Sequence, residues 1–395
     1  MPIRCPCGWD SEYRVVRPMH IKRFQQRATL GVRYLREYLM DGVVDGYDRK
    51  YLPSRPLDVI CEITYLCNLE CPTCFRWTSK PDEHELTADE WKGVLAKLKR
   101  WLGPFNLTFT GGEPFLRKDI LDIFRYAADN GIMTTVVSNG SFIDETLSRR
   151  IVASGLDGLT ISLNSLVPEV HNKTRGTNAA FDEVMSALDV MSVRDGMRLT
   201  LSCTILKENI AGLPDVVAFA RKKGLYGVNF QPLMPATTLP VFDKDGQAVK
   251  FSIGSPYRNL VKEKEKERDI VDHVFERLLV MKNEGYPILN SANHLKEILK
   301  YLKDPTSPEI LEKTCKVGIR NLNIDPFGNV RLCSIFGIVG NVKDDEPEEI
   351  WRSMNAAAQR EEIRSCDKMC RLMFCNYKEL DLKFRVKRVV NSLTT

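Results

Sequence analysis

Short apolar runs alternate with amphipathic stretches through the middle of the chain, from Arg55 to about Met234. The runs are rich in β-branched and aromatic residues, which is typical of buried parallel strands. The segments between them carry apolar residues at helical spacing. The six predicted strands are DVICEIT, NLTFT, MTTVVSN, GLTISLN, RLTLSCTI and YGVNFQP. Six β-α units predict an α/β fold, a partial (β/α)6 barrel that stays open at one side because closure takes eight units.

Several helix boundaries in this region have local signals. Thr87 and Glu90 form a capping box ahead of an apolar helical pattern. Later helices are predicted to stop at glycines, namely Gly131, Gly155 and Gly224. The boundaries therefore support strand-helix alternation independently of the apolar periodicity.

Three cysteines follow the first predicted strand, in the string CNLECPTC. Cys67, Cys71 and Cys74 have the spacing Cys-x3-Cys-x2-Cys, which gathers three thiolates around one face of an iron–sulfur cluster. A four-iron cubane takes four ligands, so three cysteines leave one iron open to a substrate or cosubstrate. Structural zinc is the main alternative, but it takes four ligands, and the nearest histidine, His84, has no HxxxH partner. Buried core cysteines are a third interpretation.

Composition describes an ordinary globular protein of 395 residues, with 43% hydrophobic and 28% charged residues. A net charge of +5 is too small to indicate a nucleic-acid partner. Neither a membrane span nor a secretory signal is evident, so we expect a cytoplasmic protein whose 12 cysteines are metal ligands or free thiols. Cys61 and Cys203 lie in apolar strands and are expected in the core, while Cys5 and Cys7 stay unassigned.

The pattern divides the chain into five predicted parts. They are a helical, basic N-terminal extension (1–54), the barrel (55–235), a loop and helical connection (236–310), a cysteine-rich C-terminal domain (311–378) and a basic tail (379–395). The basic helix predicted over 17–41 allows peripheral contact with an anionic surface, although packing on the barrel is favoured.

With these features, the chain resembles the radical S-adenosylmethionine (SAM) superfamily, whose members carry a CxxxCxxC after the first strand. The resemblance implies a catalytic 4Fe–4S cluster held by Cys67, Cys71 and Cys74, and SAM bound at its open iron. It also implies reductive cleavage of SAM to a 5′-deoxyadenosyl radical that abstracts a substrate hydrogen. The residue before the third cysteine is usually aromatic in the family and contacts the adenine. Here it is Thr73, and Phe75 or Trp77 would take that contact instead.

Further SAM contacts are implied at the ends of the next strands. TGGEP after the second strand is similar to the family's GGEP segment, which receives the SAM amino group. Polar residues at later strand ends would hold the ribose and carboxylate, and one arginine would pair with the carboxylate. The implied residues are Gly111, Gly112, Glu113, Pro114, Ser138, Asn139, Ser162, Asn164 and Arg175. A plain turn, helix capping and a surface arginine are the respective alternatives.

The C-terminal region resembles the SPASM/twitch extensions that hold auxiliary clusters. A hairpin turned at Pro326-Phe-Gly328 would present one cysteine from each strand. The candidate ligands are Cys315, Cys333, Cys366, Cys370 and Cys375. A full SPASM domain carries seven cysteines for two clusters, so five imply one auxiliary 4Fe–4S cluster with one cysteine spare. Zinc is the alternative.

Together the resemblances imply a radical SAM oxidoreductase that receives electrons from a flavodoxin- or ferredoxin-type reductant. We expect a small-molecule substrate, such as a sugar, an aminocyclitol or a lipid precursor, since the residues before Cys67 are too few for a separate leader-peptide module. The alternatives are a peptide or protein maturase and, third, a non-catalytic iron–sulfur or zinc protein. No catalytic residue is assignable from the sequence.

Overall fold

In a computed structural model, the strand pattern of the sequence forms a sheet surrounded by helices. The structure describes residues 28–33, 35–36, 55–74, 84–191, 197–233, 239–242, 248–251, 265–304, 307, 309, 315, 317–366, 372 and 377. The predictions for Phe75, Trp77, Cys370, Cys375, Cys5, Cys7 and the basic tail lie outside these residues, as does most of the N-terminal extension.

Six parallel strands form the centre of the sheet, each within two residues of its predicted limits. They are β1 (Asp58–Thr64), β2 (Asn106–Gly111), β3 (Met133–Ser138), β4 (Gly158–Ser162), β5 (Arg198–Ile205) and β6 (Gly227–Pro232). The connecting helices are α1 (Ala88–Leu102), α2 (Ile120–Asp129), α3 (Glu145–Ala153), α4 (Pro168–Arg175), α5 (Ala180–Val190) and α6 (Leu213–Lys222), with short 3₁₀ turns at Pro114–Leu116 and Ile210–Gly212. The predicted α/β fold with a parallel partial barrel is confirmed.

Local signals act as predicted at the helix ends. The Thr87 hydroxyl accepts from the Glu90 N–H, and the Glu90 carboxylate accepts from the Thr87 N–H at 2.8 Å, so the capping box is complete. Such a cap stabilises a helix by about 1 kcal/mol. The predicted glycine stops all have positive φ angles.

The C-terminal hairpin continues the barrel sheet. A two-stranded ribbon, β7 (Leu239–Phe242) and β8 (Ala248–Phe251), and two helices, α7 (Glu265–Asn283) and α8 (Ala292–Lys303), precede it. The later elements are α9 (Val317–Arg320), β9 (Asn321–Ile324), β10 (Asn329–Arg331), β11 (Gly340–Asn341), α10 (Pro347–Arg352) and α11 (Met354–Arg364). Strand β9 pairs in parallel with β1, and the sheet order is β11-β10-β9-β1-β2-β3-β4-β5-β6.

The core lies between the sheet and the helices. Cys61 and Cys203 are fully buried there, as predicted, beside large side chains such as Phe109, Phe230 and Trp351. The opposite face of β1–β6 lines the inside of the barrel. No helix in the described part of the chain combines the length and hydropathy needed to cross a membrane.

Candidate active site

The three cysteines of the CNLECPTC loop lie together at the carboxyl end of β1. Cys67, Cys71 and Cys74 are close enough to interact electrostatically, and the Cys74 N–H donates to the Cys71 carbonyl at 3.0 Å. Burial raises the pKa of Cys67 to about 11, with smaller contributions from the other two thiols and Glu113. A metal cluster bound by the three deprotonated thiols would supply the cationic group that such a ligand set requires.

The same loop is bound to the end of β2. The backbone N–H of Gly112 donates to the Thr64 carbonyl at 2.8 Å, and the backbone N–H of Glu113 donates to the Leu66 carbonyl at 2.7 Å. A Cβ atom on Gly112 would lie 1.9 Å from the Leu66 oxygen, so only glycine permits this approach. The GGEP segment therefore sets the position of the cysteine loop.

Two supporting residues were missed from the sequence. The Arg117 guanidinium donates to the Ile63 carbonyl at 3.0 Å and the Leu86 carbonyl at 2.9 Å, and forms an ion pair with Asp119. Glu85 accepts from the Tyr65 N–H at 2.8 Å. Both contacts hold the chain where β1 leads into the cysteine loop. No local signal could reveal them, because each partner is distant in sequence or lies on the backbone.

Glu113 is fully buried, and its carboxylate is held by three donors. Oε1 accepts from the Ser138 hydroxyl at 2.9 Å and the Phe115 N–H at 3.1 Å, and Oε2 accepts from the Asn139 N–H at 2.7 Å. Desolvation raises the pKa of Glu113 to about 7, although these hydrogen bonds and the Arg175 charge oppose the rise. A cationic or hydrogen-donating ligand at this carboxylate would favour its ionised form.

The predicted residues at the ends of β3 and β4 have internal partners. The Ser138 hydroxyl also accepts from the Gly140 N–H at 2.9 Å, and the Asn139 side chain donates to Asn68 in the cysteine loop at 2.8 Å. Asn164 donates to Thr174 at 3.0 Å and accepts from the Thr204 N–H at 3.0 Å. Asn164 thus connects β4, β5 and α4, and Ser138 connects the end of β3 to Glu113.

Arg175 lies at the end of α4, where the chain meets the cysteine loop. Gly176 ends the helix with φ 70°, and a Cβ there would lie 2.5 Å from the Glu70 carbonyl oxygen. The Arg175 Nε is buried and has no hydrogen-bond partner among the described residues. A buried guanidinium donor left open beside a thiol loop fits an anionic group such as the SAM carboxylate.

Neutral polar residues line the inner face of β4–β6. Ser162 is in register with Ser202, and Ser202 with Asn229. Gln231 donates to the Ser202 hydroxyl at 3.4 Å. Asn229 is only 8% exposed, and its side-chain oxygen has no hydrogen-bond partner in the described part of the chain. Because Leu201, Cys203 and Phe230 point to the helices, these polar groups face the barrel interior.

A second thiol group lies beside the C-terminal hairpin. Cys315 and Cys366 both interact electrostatically with Cys333, and burial, the largest contribution, raises the pKa of Cys333 to about 12. The Asp325 carboxylate organises the turn by accepting from the Phe327 N–H and from Arg331 at 2.8 Å.

The hairpin differs from the prediction in one respect. Cys315 precedes the short helix α9 and Cys333 follows β10, so neither thiol comes from a strand of the hairpin. Helix α9 lies between Cys315 and β9 in the sequence, and packing then brings Cys315 and Cys333 together.

The hairpin turn also contacts the first site. The Tyr65 ring meets the Phe327 ring edge-on at 5.6 Å, and the Leu86 N–H donates to the Pro326 carbonyl at 2.7 Å. The two thiol groups are therefore joined through well-packed residues. Among the described residues, no three His, Cys, Asp or Glu side chains converge on a single-ion site. A cubane instead binds each thiolate at a different iron.

Comparison with known protein families supports an iron–sulfur role for both thiol groups. Residues 61–220 match the radical SAM superfamily, and residues 315–376 match the SPASM iron–sulfur cluster-binding domain. A radical SAM domain carries a 4Fe–4S cluster and SAM, and a SPASM domain carries auxiliary iron–sulfur clusters. The predicted family and cofactor classes are confirmed.

The curated relatives include enzymes whose names indicate different substrates. Fe-coproporphyrin III synthase of Methanosarcina barkeri is 28% identical over 67% of this chain and 64% of its own length. The AdoMet-dependent heme synthase of the same organism is 23% identical over 83% of this chain and 91% of its own. PqqA peptide cyclase of Bradyrhizobium diazoefficiens is 30% identical over 41% of this chain, which spans 42% of that enzyme.

The fold is shared with a solved structure of a peptide-bound protein. Streptococcus suis SuiB bound to its precursor peptide SuiA superposes with a TM-score of 0.59 and 15% identity, over 81% of this chain and 73% of that one. At 15% sequence identity, the similarity shows that the fold is shared and nothing more. The two family matches, over residues 61–220 and 315–376, show that this chain belongs to the radical SAM superfamily and carries a SPASM-type C-terminal domain.

Proposed function

We propose that this enzyme abstracts a hydrogen atom from a small hydroxylated molecule, such as a sugar, an aminocyclitol or the polar part of a lipid precursor, and oxidises or modifies it. The observation that carries this proposal is the row from Ser162 through Ser202 to Asn229. It lines the inside of the barrel with neutral hydrogen-bonding groups and ends at an unpartnered, buried side-chain oxygen. Hydroxyl and amine groups of a substrate would satisfy such a surface.

The family cofactors define the chemistry, and the protein residues supply placement. When bound, the cluster and SAM supply one-electron cleavage and a radical that removes hydrogen from an unactivated C–H bond. We assign the catalytic cluster ligands to Cys67, Cys71 and Cys74. Arg175 would pair with the SAM carboxylate, and Glu113 would accept from its amino group. Ser138, Asn139 and Asn164 would act by holding Glu113, the cysteine loop and α4 in place.

The electron acceptor, the electron donor and the cellular compartment follow from the same chemistry. An auxiliary 4Fe–4S cluster held by four of the five cysteines Cys315, Cys333, Cys366, Cys370 and Cys375 would take up the electron released on substrate oxidation. A flavodoxin- or ferredoxin-type protein would reduce the catalytic cluster. Reduced clusters and free thiols require a reducing compartment, so we assign the enzyme to the cytoplasm.

Two curated relatives that align with most of this chain favour a small molecule. Those named for iron-coproporphyrin and heme synthesis align with 67% and 83% of this chain, whereas the PqqA cyclase alignments cover less than half of it. A peptide substrate is the second candidate. Its support is the 30% identity to a PqqA peptide cyclase and the fold shared with peptide-bound SuiB.

Deuterium tracing tests the substrate class. Anaerobically reconstituted enzyme would be incubated with SAM, dithionite and one of three probes, each deuterated at carbon: hexoses and aminocyclitols, coproporphyrin III, or a mixed peptide pool. We expect deuterium in 5′-deoxyadenosine from the hydroxylated probes. Deuterium arriving only from the peptides would instead establish the maturase.

A further inference from the structure

One helix of the C-terminal domain, α11 (Met354–Arg364), connects the three described thiols of the second group. Cys366 follows the last turn of this helix, and its N–H donates to the Ile363 carbonyl at 3.3 Å. Cys333 interacts electrostatically with both Cys366 and Cys315, although the three cysteines come from separate parts of the chain. Two buried side chains of α11 bind the segments that carry the other two cysteines.

The first of these side chains is Gln359, which is 5% exposed. Its Oε1 accepts from the Leu332 N–H at 2.9 Å, and its Nε2 donates to the Gly337 carbonyl at 2.7 Å. Leu332 and Gly337 are the first and last residues of a short loop, 332–337, that contains Cys333. One buried amide therefore binds both ends of the loop and satisfies its own donor and acceptor in doing so.

The loop 332–337 directs two backbone donors at its own cysteine. The N–H groups of Ile335 and Phe336 both act on the Cys333 sulfur as hydrogen-bond donors. Donors of this kind favour a charged thiolate, and at an iron–sulfur centre they help to set the reduction potential. Both donors lie between the two residues that Gln359 binds.

The second buried side chain of α11 is Arg360, which is 4% exposed. Its Nε donates to the Gly318 carbonyl at 3.0 Å, and its Nη2 donates to the Trp351 carbonyl at 2.7 Å. Gly318 belongs to α9, the short helix that follows Cys315 in the sequence. A Cβ on Gly318 would lie 2.8 Å from the Ile363 Cδ1 atom, so α9 packs closely on α11.

We propose that α11 assembles the auxiliary iron–sulfur site and that Gln359 is a positioning residue for it. Gln359 holds the loop 332–337 closed, so that the two backbone donors stay directed at the Cys333 thiolate. Since a reduced cluster carries one more negative charge, donors held in this way raise its reduction potential. The inference rests on the proposed assignment of Cys315, Cys333 and Cys366 to the auxiliary cluster, and it is independent of the substrate class.

The test uses a protein in which only the auxiliary site can hold iron, because Cys67, Cys71 and Cys74 are all changed to Ala. Gln359→Met is then added, since methionine keeps the length of the side chain and loses both hydrogen bonds. Asn355→Met makes the corresponding change one turn earlier, at an exposed amide of the same helix, and is the matched control.

Iron retention against a chelator, the EPR spectrum of the reduced cluster and its midpoint potential are measured after anaerobic reconstitution. We expect Gln359→Met to lose iron about 10-fold more readily and to change the EPR spectrum, as for other residues that orient metal ligands. Its midpoint potential should be more negative than that of the parent, because fewer N–H groups stabilise the reduced cluster. Asn355→Met should match the parent in all three measurements.

An EPR spectrum and a midpoint potential equal to those of the parent, with only a lower melting temperature, would overturn the proposal and make Gln359 a packing residue. A more positive midpoint potential would also overturn it, because entry of water and not the loss of N–H donors would then dominate.

Should Gln359→Met fail to fold, Gln359→Glu keeps the acceptor for the Leu332 N–H and loses the donor to Gly337. Asn355→Asp adds the same charge on the same helix, and equal changes in the spectra and potentials of these two variants would overturn the proposal.

The parent protein separates this inference from the ligand assignment on which it rests. A parent without auxiliary iron would contradict the assignment and the inference together, whereas an intact cluster that is insensitive to Gln359→Met would overturn the inference alone. Because neither SAM nor substrate is present, no outcome depends on the proposed substrate.

Discussion

Glu113 and Asn139 are joined across the ends of two strands, with the Asn139 N–H donating to Glu113 Oε2 at 2.7 Å. The Asn139 side chain continues to Asn68 in the cysteine loop at 2.8 Å. The carboxylate of the GGEP segment and the thiol loop are therefore mechanically coupled through one residue. The site is a connected unit, in which a change at one strand end alters the others.

The close approach of Gly112 to the cysteine loop predicts a sharp effect of one methyl group. Gly112→Ala would place a Cβ 1.9 Å from the Leu66 oxygen and displace the loop. We expect loss of the catalytic cluster iron and a destabilisation of about 3 kcal/mol. Iron analysis and thermal unfolding measure both effects.

Gly93 offers the matched control. It lies inside α1, and a Cβ added there would have no atom within 4 Å, so Gly93→Ala should stabilise the protein by about 0.5–1 kcal/mol. Retention of iron by Gly112→Ala at the level of Gly93→Ala would show that the loop does not depend on this glycine.

The raised pKa of Glu113 predicts that the stability of the cofactor-free protein depends on pH. Its folded pKa of about 7 lies above the ordinary value near 4.5, so burial favours the protonated form. The stability from this group is complete below about pH 4.5 and is lost as pH rises through 7, by up to about 3 kcal/mol.

Glu113→Gln isolates this contribution, because glutamine does not titrate. The unfolding free energies of the natural protein and the variant are measured by denaturant titration from pH 4.5 to 8. As pH rises, the unfolding free energy of the natural protein should fall relative to that of the variant. A difference that is independent of pH would contradict the raised pKa.

Much of this architecture could be predicted from local sequence. The alternation in DVICEIT and the stops at Gly131 and Gly155 reflect short-range rules, and the structure follows them. The cysteine spacing was equally informative, because a cluster ligand set is local. The parallel pairing of β9 with β1 was not predictable, since Asp58 and Asn321 meet only through the whole fold.

Side-chain roles within the site were harder to predict than its location. Ser138 and Asn164 are at the predicted strand ends, but their polar groups bind Glu113 and Thr174. A strand-end polar residue can face a ligand or a neighbouring loop, and only three-dimensional packing decides between them. Arg117 was missed for the same reason, because two of its hydrogen bonds go to the backbone carbonyls of Ile63 and Leu86.

Replacing Asn229 is expected to slow the reaction with the substrate and to leave the cofactor site unchanged. Asn229→Leu removes the amide at the end of the inner polar row, and we expect about a 10-fold loss in kcat/KM for deuterium transfer from a hydroxylated substrate. SAM cleavage in the absence of substrate and iron content should stay unchanged. Asn130→Leu, at an exposed helix end, is the control. An equal loss in both variants would argue against a substrate contact.

Iron content distinguishes the two thiol groups. The natural protein should hold about eight irons in two cubanes, and the protein with Cys67, Cys71 and Cys74 changed to Ala should hold about four. The remaining iron should give the auxiliary-cluster EPR signal. About four irons together with bound zinc in the natural protein would contradict an auxiliary iron–sulfur cluster.

We infer that three thiolates at the end of β1 hold the cluster that cleaves SAM. The most direct test is the release of methionine and 5′-deoxyadenosine from SAM by the reconstituted, reduced protein, in parallel with Cys67→Ala and with Cys61→Ala, a fully buried core cysteine. We expect both products from the natural protein and from Cys61→Ala, and neither from Cys67→Ala. Product formation that persists in Cys67→Ala, or its absence in the natural protein carrying a full complement of iron, would contradict it.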